Sequence, residues 1–186
     1  FDIFRIKKKL KEPWKKYYSK EDLKIKIPNI SMYGQVKRSA RIYPNYIAYE
    51  YYGKKVNYTK FLKEIDKCAI SLHNLGVKEG DVVTICLPNI PECLIALYAL
   101  NKQGAIANML HPLSSEEEIK QSLNSTSSKY LIMYDGFYEK IENIIDKTNV
   151  KKVIFASSGN YMNIFMRIFV SIASIKKFKQ IGRAHV

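Results

Sequence analysis

The chain predicts an α/β protein built on a mostly parallel sheet covered by helices, and two observations carry that prediction. Short apolar runs at residues 82–87, 105–110, 130–134 and 152–155 alternate with amphipathic segments. This is the pattern of parallel strands joined by crossover helices. The 186 residues, 47% hydrophobic and 26% charged, can bury a substantial core and leave no room for disorder across the whole chain.

Taken in order, residues 2–12 read as a short basic helix on Phe4, Ile6 and Leu10, ended by Pro13. Trp14, Tyr17 and Tyr18 follow as an aromatic cluster among lysines, either a loop anchored in a groove of its own domain or a surface for stacking bases. Over residues 31–43 the spacing predicts a helix capped by Ser31, with Met32, Val36, Ala40 and Tyr43 on one face. Loose alternation over 46–52, a Gly53-Lys54 turn and a return over 56–58 predict a hairpin. Thr59 is then expected to cap a helix whose buried stripe is Phe61, Leu62, Ile65, Ala69, Leu72 and Leu75, closed by a left-handed Gly76.

Beyond the strand at 82–87, residues 92–103 read as a helix presenting Leu94, Leu97, Tyr98 and Leu100. After the strand at 105–110, Ser114 and Glu117 have the spacing of a capping box for a helix through about Asn124. A helix carrying Ile141, Ile144 and Ile145 separates the last two strands, and no internal repeat is present. Residues 161–178 place Ile164, Phe165, Ile168, Phe169, Ile172 and Ile175 at helical spacing before Lys176, Lys177 and Lys179. Arg167 and the shortness of this run argue against a membrane span of about 20 apolar residues. It reads as a packed helix, with an interfacial helix as the alternative.

The formal charge of +14 is uneven, since residues 1–60 hold 16 Lys and Arg against 5 Asp and Glu, or +11. Codon bias toward Lys, Asn, Ile, Tyr and Phe accounts for such a surface; a basic module for nucleic acid or anionic membrane is the competing reading. Cys68, Cys86 and Cys93 form neither a Cys-x-x-Cys pair nor a site with histidine. They predict three buried thiols in a reducing cytosol.

The chain begins at Phe1 without the apolar core of a secretory signal, so a start is expected upstream. Residues 180–186, Gln-Ile-Gly-Arg-Ala-His-Val, match the translation of a common sequencing adapter. Residues 1–180 are therefore expected to be the genuine partial domain and residues 181–186 an artefact.

Neither the dinucleotide fingerprint G-x-G-x-x-G nor the phosphate loop G-x-x-x-x-G-K-[ST] is present. Gly104 lies between helix and strand and is expected to relieve a tight turn rather than to hold phosphate. His73 reads as a boundary residue of its helix. His111 ends a strand just before Pro112, where it either lines a pocket or orients the following loop by a hydrogen bond.

Four blocks of fixed order remain: Leu75-Gly76-Val77 with Gly80-Asp81-Val82, Leu87-Pro88-Asn89 with Pro91-Glu92, Gly104-Ala105, and His111-Pro112 where many relatives have Asn-Pro. With Pro13-Trp14, Tyr17, Ser39-Ala40, Tyr43-Pro44 and Val56 to Tyr58, they make residues 13–135 resemble the N-terminal region of AMP-forming acyl-CoA ligases, the long-chain fatty-acyl members most of all. The resemblance implies an incomplete N-terminal subdomain of the adenylate-forming large domain. It implies an enzyme that uses ATP and Mg²⁺ to make an acyl-adenylate from a carboxylic acid and then transfers the acyl group to coenzyme A. Its partners would be small-molecule acids and not nucleic acid; the location expected from the thiols is the cytoplasm, with peripheral membrane contact as the alternative. The family's [ST]-S-G-[ST]-T-G loop is not matched by Ser157-Ser158-Gly159. No catalytic, cofactor-binding or metal-binding residue is therefore expected in this chain, and the chain alone is expected to be inactive and prone to aggregate.

Overall fold

The computed structural model describes residues 12–26 and 28–157, and it divides into two units, residues 1–30 and residues 31–186. The proposed basic helix, the apolar segment 161–178, the Ser-Ser-Gly element and the adapter-like tail fall wholly or mostly outside the described residues.

In the first unit Pro13 opens a 3-10 turn, Pro13–Tyr17, and a second 3-10 turn spans Asp22–Lys24. Proline suits a first helical position, where its missing N–H costs nothing. Trp14 and Tyr18 meet edge to face at 5.8 Å, and the ammonium groups of Lys15 and Lys16 lie 5.6 and 4.8 Å from the ring centres of Trp14 and Tyr17.

The second unit begins with α1, Met32–Ile42, capped as expected when Ser31 Oγ accepts the Gly34 N–H at 3.0 Å. Of its expected face only Val36 and Ala40 are buried; Met32 and Tyr43 are about half exposed. Strands β1, Ile47–Tyr51, and β2, Lys54–Asn57, pair antiparallel through a turn centred on Tyr52 and Gly53. The turn thus lies one residue earlier than the spacing implied, both central residues having positive φ, as a tight hairpin requires.

Helix α2, Tyr58–Asn74, corrects a second boundary, because Asn57 rather than Thr59 caps it by accepting the Lys60 N–H at 2.9 Å. Thr59 instead donates its hydroxyl to the Pro44 carbonyl at 3.0 Å. Gly76 closes the helix at φ +97°, with Val77 N–H reaching back to Leu72 O at 3.0 Å, the expected left-handed stop.

Strand β3, Val82–Cys86, leads into α3, Pro91–Gln103, which is not the one-sided helix its spacing suggested. Cys93, Ile95, Ala96, Ala99 and Leu100 are all buried whereas Leu94 is exposed, because α3 is enclosed by α1, α2 and the sheet. Gly104 ends it at φ +72°, and a Cβ there would stand 2.9 Å from Glu79 Cγ, so the turn requires glycine, as expected. Strand β4 is Ile106–Met109 and α4 is Glu116–Ser125. Its capping box is shifted one residue, to Ser115 and Glu118, since the Ser114 N–H is already donated to His111 O in the preceding turn. Strand β5, Tyr130–Tyr134, is followed by a 3-10 turn at Asp135–Phe137, the short α5 at Tyr138–Glu142 and another 3-10 turn at Ile145–Lys147. The expected single helix is therefore broken, while Ile141 and Ile144 are buried as its pattern required. Strand β6, Lys152–Ala156, completes a four-stranded, all-parallel sheet of order β4-β3-β5-β6.

Alternation along the strands divides the core. Val83, Ile85, Tyr130 and Ile132 face α1, α2 and α3, whereas Cys86, Leu131 and Met133 face α4 and α5. The second face also buries a hydroxyl network. Thr84 and Ser128 share a 2.7 Å hydrogen bond, and the Asn108 amide donates to Thr84 and Ser122 at 3.0 Å each, fixing β3, β4 and α4 in register.

Cys86 and Cys93 are buried and Cys68 is partly so, all three reduced. Burial pushes the Cys68 and Cys86 thiols up to about 11 and raises that of Cys93. At pH 8 a thiol of pKa 11 is only about one part in a thousand thiolate. A colorimetric disulfide reagent should therefore modify all three within seconds in denaturant and react far more slowly in buffer; equal rates in the two would refute the burial.

Candidate active-site cleft

The sheet order contains a reversal. From β3 the chain moves through α3 to β4 on one side, then returns through α4 to place β5 on the opposite side of β3. The connections leaving β3 and β5 diverge, and ligands of open α/β sheets bind in the crevice such a switch point leaves at the carboxyl ends.

A cleft of about 580 Å³ occupies that place, lined by Glu50, Tyr51, Tyr52, Pro88, Asn89, Ile90, Tyr134 and Phe137. Each group has a local reason to be there. Pro88 to Ile90 form the turn between β3 and α3, tightened by the Ile90 N–H to Pro88 O bond at 2.7 Å. Tyr134 ends β5, and its ring packs edge to face with Phe137 at 5.5 Å. From the hairpin, Tyr51 and Tyr52 meet edge to face at 4.6 Å. Two aromatic pairs thus wall a cleft suited to an apolar or planar guest.

Beside the turn that supplies Pro88 to Ile90, Glu92 stands in the first turn of α3. Both carboxylate oxygens are buried, and neither accepts a hydrogen bond from another residue. Desolvation raises its pKa above the ordinary glutamate range; its own backbone N–H opposes the rise, Glu64 and Asp135 add to it and Lys54 opposes it. Desolvation also raises the Tyr51 phenol, helped by Tyr52, Glu92 and Tyr134. A second, apolar cavity of about 310 Å³ lies between α2, α3, β5 and β6, with Leu72, Leu75, Ile95, Ile132 and Ile154 on its walls and Glu64 and Glu92 at its polar side.

His111 does not line the cleft. Its Nδ1 accepts the Leu113 N–H at 3.2 Å and its carbonyl accepts the Ser114 N–H at 3.1 Å, so it orients the loop, the second of its two expected roles. His73 is exposed on α2. The cleft residues were overlooked in the sequence except for Leu87-Pro88-Asn89, although a turn directly after a buried strand is the signal that could have located them.

The model of the AMP-binding enzyme family matches residues 36–162. The long-chain-fatty-acid–CoA ligase of Bacillus subtilis is 26% identical over 152 residues, covering 81% of this chain and 27% of that protein. A probable 4-coumarate–CoA ligase of Dictyostelium discoideum is 35% identical over 92 residues, 48% of this chain and 17% of that protein. Among solved structures, a long-chain-fatty-acid-CoA ligase of Archaeoglobus fulgidus aligns with TM-score 0.67 at 21% identity, covering 71% of this chain and 28% of that one. An anthranilate CoA ligase in complex with anthranoyl-AMP aligns with TM-score 0.66 at 20% identity, covering 77% and 28%. The chain thus spans little more than a quarter, or less, of these four relatives.

Proposed function

The chain belongs to the AMP-binding enzyme family, and on that premise we propose that it is the N-terminal scaffold of an ATP-dependent, AMP-forming ligase joining a fatty or related carboxylic acid to coenzyme A. The observation that supports this reading is the switch-point cleft, with its aromatic walls at the carboxyl ends of β3 and β5.

The described residues do not by themselves fit a nucleoside triphosphate and its Mg²⁺. A phosphate at the start of α3 would meet the carboxylate that Glu92 already places there. No group of three His, Cys, Asp or Glu among the described residues could hold a metal. The nucleotide steps are therefore assigned to other parts of the ligase, and residues 31–157 contribute the sheet edge, the cleft wall and the rigid packing of α1 to α3. In this reading the protein works in the cytoplasm with peripheral membrane contact, takes small-molecule acids and does not bind nucleic acid. No helix among the described residues is long and apolar enough to cross a membrane.

Acid-dependent exchange of pyrophosphate into ATP tests the proposal. The complete reading frame should catalyse exchange with at least one medium- or long-chain acid, and the 186-residue chain should stay at background. Exchange by the 186-residue chain would overturn its assignment as scaffold alone. A complete protein inert toward every carboxylic acid, yet retained on DNA in a salt-dependent way, would replace the ligase with the basic-module reading.

A further inference from the structure

Residues 31–49 contain Lys37, Arg38 and Arg41 and not one Asp or Glu. Their C-terminal part is a sharp knuckle where α1 ends and β1 begins. Here Ile42, Tyr43, Tyr46 and Ile47 are 48%, 50%, 67% and 52% exposed. The knuckle is rigid: Tyr43 N–H bonds Ser39 O at 2.7 Å, Tyr46 N–H bonds Tyr43 O at 3.1 Å, and Tyr58 N–H and Thr59 N–H hold Tyr46 O and Pro44 O at 3.0 and 3.2 Å. Four neighbouring apolar or aromatic side chains are thus held about half exposed or more among the described residues.

We propose that this knuckle seats the protein on an anionic lipid surface, an inference that deepens the membrane contact proposed above and rests on it. Ile42 and Ile47 enter the boundary of the acyl chains, the phenols of Tyr43 and Tyr46 stay at headgroup level, and Lys37, Arg38 and Arg41 meet lipid phosphates. The mixture of groups selects this partner. Tyr43 and Tyr46 stack on each other at 5.1 Å and 29°, which takes one face of each ring from a nucleic acid base, and the two isoleucines offer a base or phosphate nothing. A second copy of the knuckle would bring like charges together.

Flotation of the full chain with vesicles of phosphatidylcholine alone or with about 30% phosphatidylserine tests this, because aggregates do not float unaided. The wild type should float with the anionic vesicles and fall away at high salt. The double substitution Arg38→Gln with Arg41→Gln should weaken partitioning about 30-fold, at roughly fivefold per basic residue. Ile42→Ser with Ile47→Ser should weaken it on both vesicle types, with the far-UV circular dichroism unchanged. Wild-type flotation by both double variants would remove the knuckle and leave the membrane reading standing. No flotation by the wild type would remove both, and tight binding of a DNA oligonucleotide in its place would hand the basic face to nucleic acid.

Discussion

Replacing Ile65 by alanine should destabilise the protein by about 2–5 kcal/mol, the cost of deleting a buried isoleucine side chain whose site cannot collapse. Ile65 is 0% exposed and lies in the core shared by α1, α2, α3 and the sheet, among Phe61, Ala69, Leu72 and Leu100. Those neighbours are tied together by polar clamps at the layer's edge. Tyr33 OH and Lys102 Nζ both donate to Asp66, at 2.9 and 2.7 Å, and the Gln103 amide donates to the Ala69 carbonyl. The edges hold α2 and α3 in place, so the cavity stays largely open. A domain stable by about 5–15 kcal/mol would lose a large part of that margin. Ile70, one residue past Ala69 on the same helix, is 61% exposed, and Ile70→Ala should change stability by no more than about 0.5 kcal/mol. Urea midpoints at unchanged slope make the comparison. Equal midpoints for the two variants would show that the helical layer is not the core of this unit.

The same helix shows what the sequence could and could not disclose. Of the stripe that period alone identified, Phe61, Ile65, Ala69 and Leu72 are buried while Leu62 and Leu75 are half-buried, because α2 has one wet face. It failed on α3, where Leu94 points outward and Ala99 inward, because enclosure on several sides erases the period. Caps were placed within one or two residues and twice assigned to the wrong side chain, since Asn57 and Thr59, or Ser114 and Ser115, compete for one role and the preceding turn decides between them. The α/β class and its parallel sheet were readable, as was the AMP-binding lineage. The cleft was not. Its walls come from residues 50–52, 88–90 and 134–137, segments about 40 residues apart that only the strand order brings together. An aromatic residue in the first or the last of them looks like ordinary core.

Glu92 should make the protein less stable as pH rises, and Glu92→Gln should remove that dependence. Two effects oppose each other at this carboxylate. An acid in the first helical turn gains about 0.3–1 kcal/mol from the helix dipole. A buried polar group left without a partner costs about 1–3 kcal/mol, more when charged, and neither oxygen of Glu92 has one from another residue. Desolvation wins, the folded-state pKa rises, and the nearby Glu64 and Asp135 carboxylates push it further than Lys54 can offset. Between the unfolded and folded pKa values the folded protein holds a proton that the unfolded chain has released, so stability falls as pH rises through that window. Below the unfolded glutamate pKa both states are protonated, and this contribution to the slope vanishes. Thermal melts across pH 4 to 8 should therefore decline more steeply for the wild type than for Glu92→Gln. Glu92→Leu, which fits the apolar wall formed by Ile95 and Ile132, should gain about 1–3 kcal/mol at neutral pH. Glu64→Gln should flatten the wild-type slope only in part, since it removes one repelling charge and leaves the desolvation untouched. Wild type and Glu92→Gln with parallel pH profiles would mean that this carboxylate has found water or a cation, and that the apolar cavity it lines is wetter than its surroundings imply.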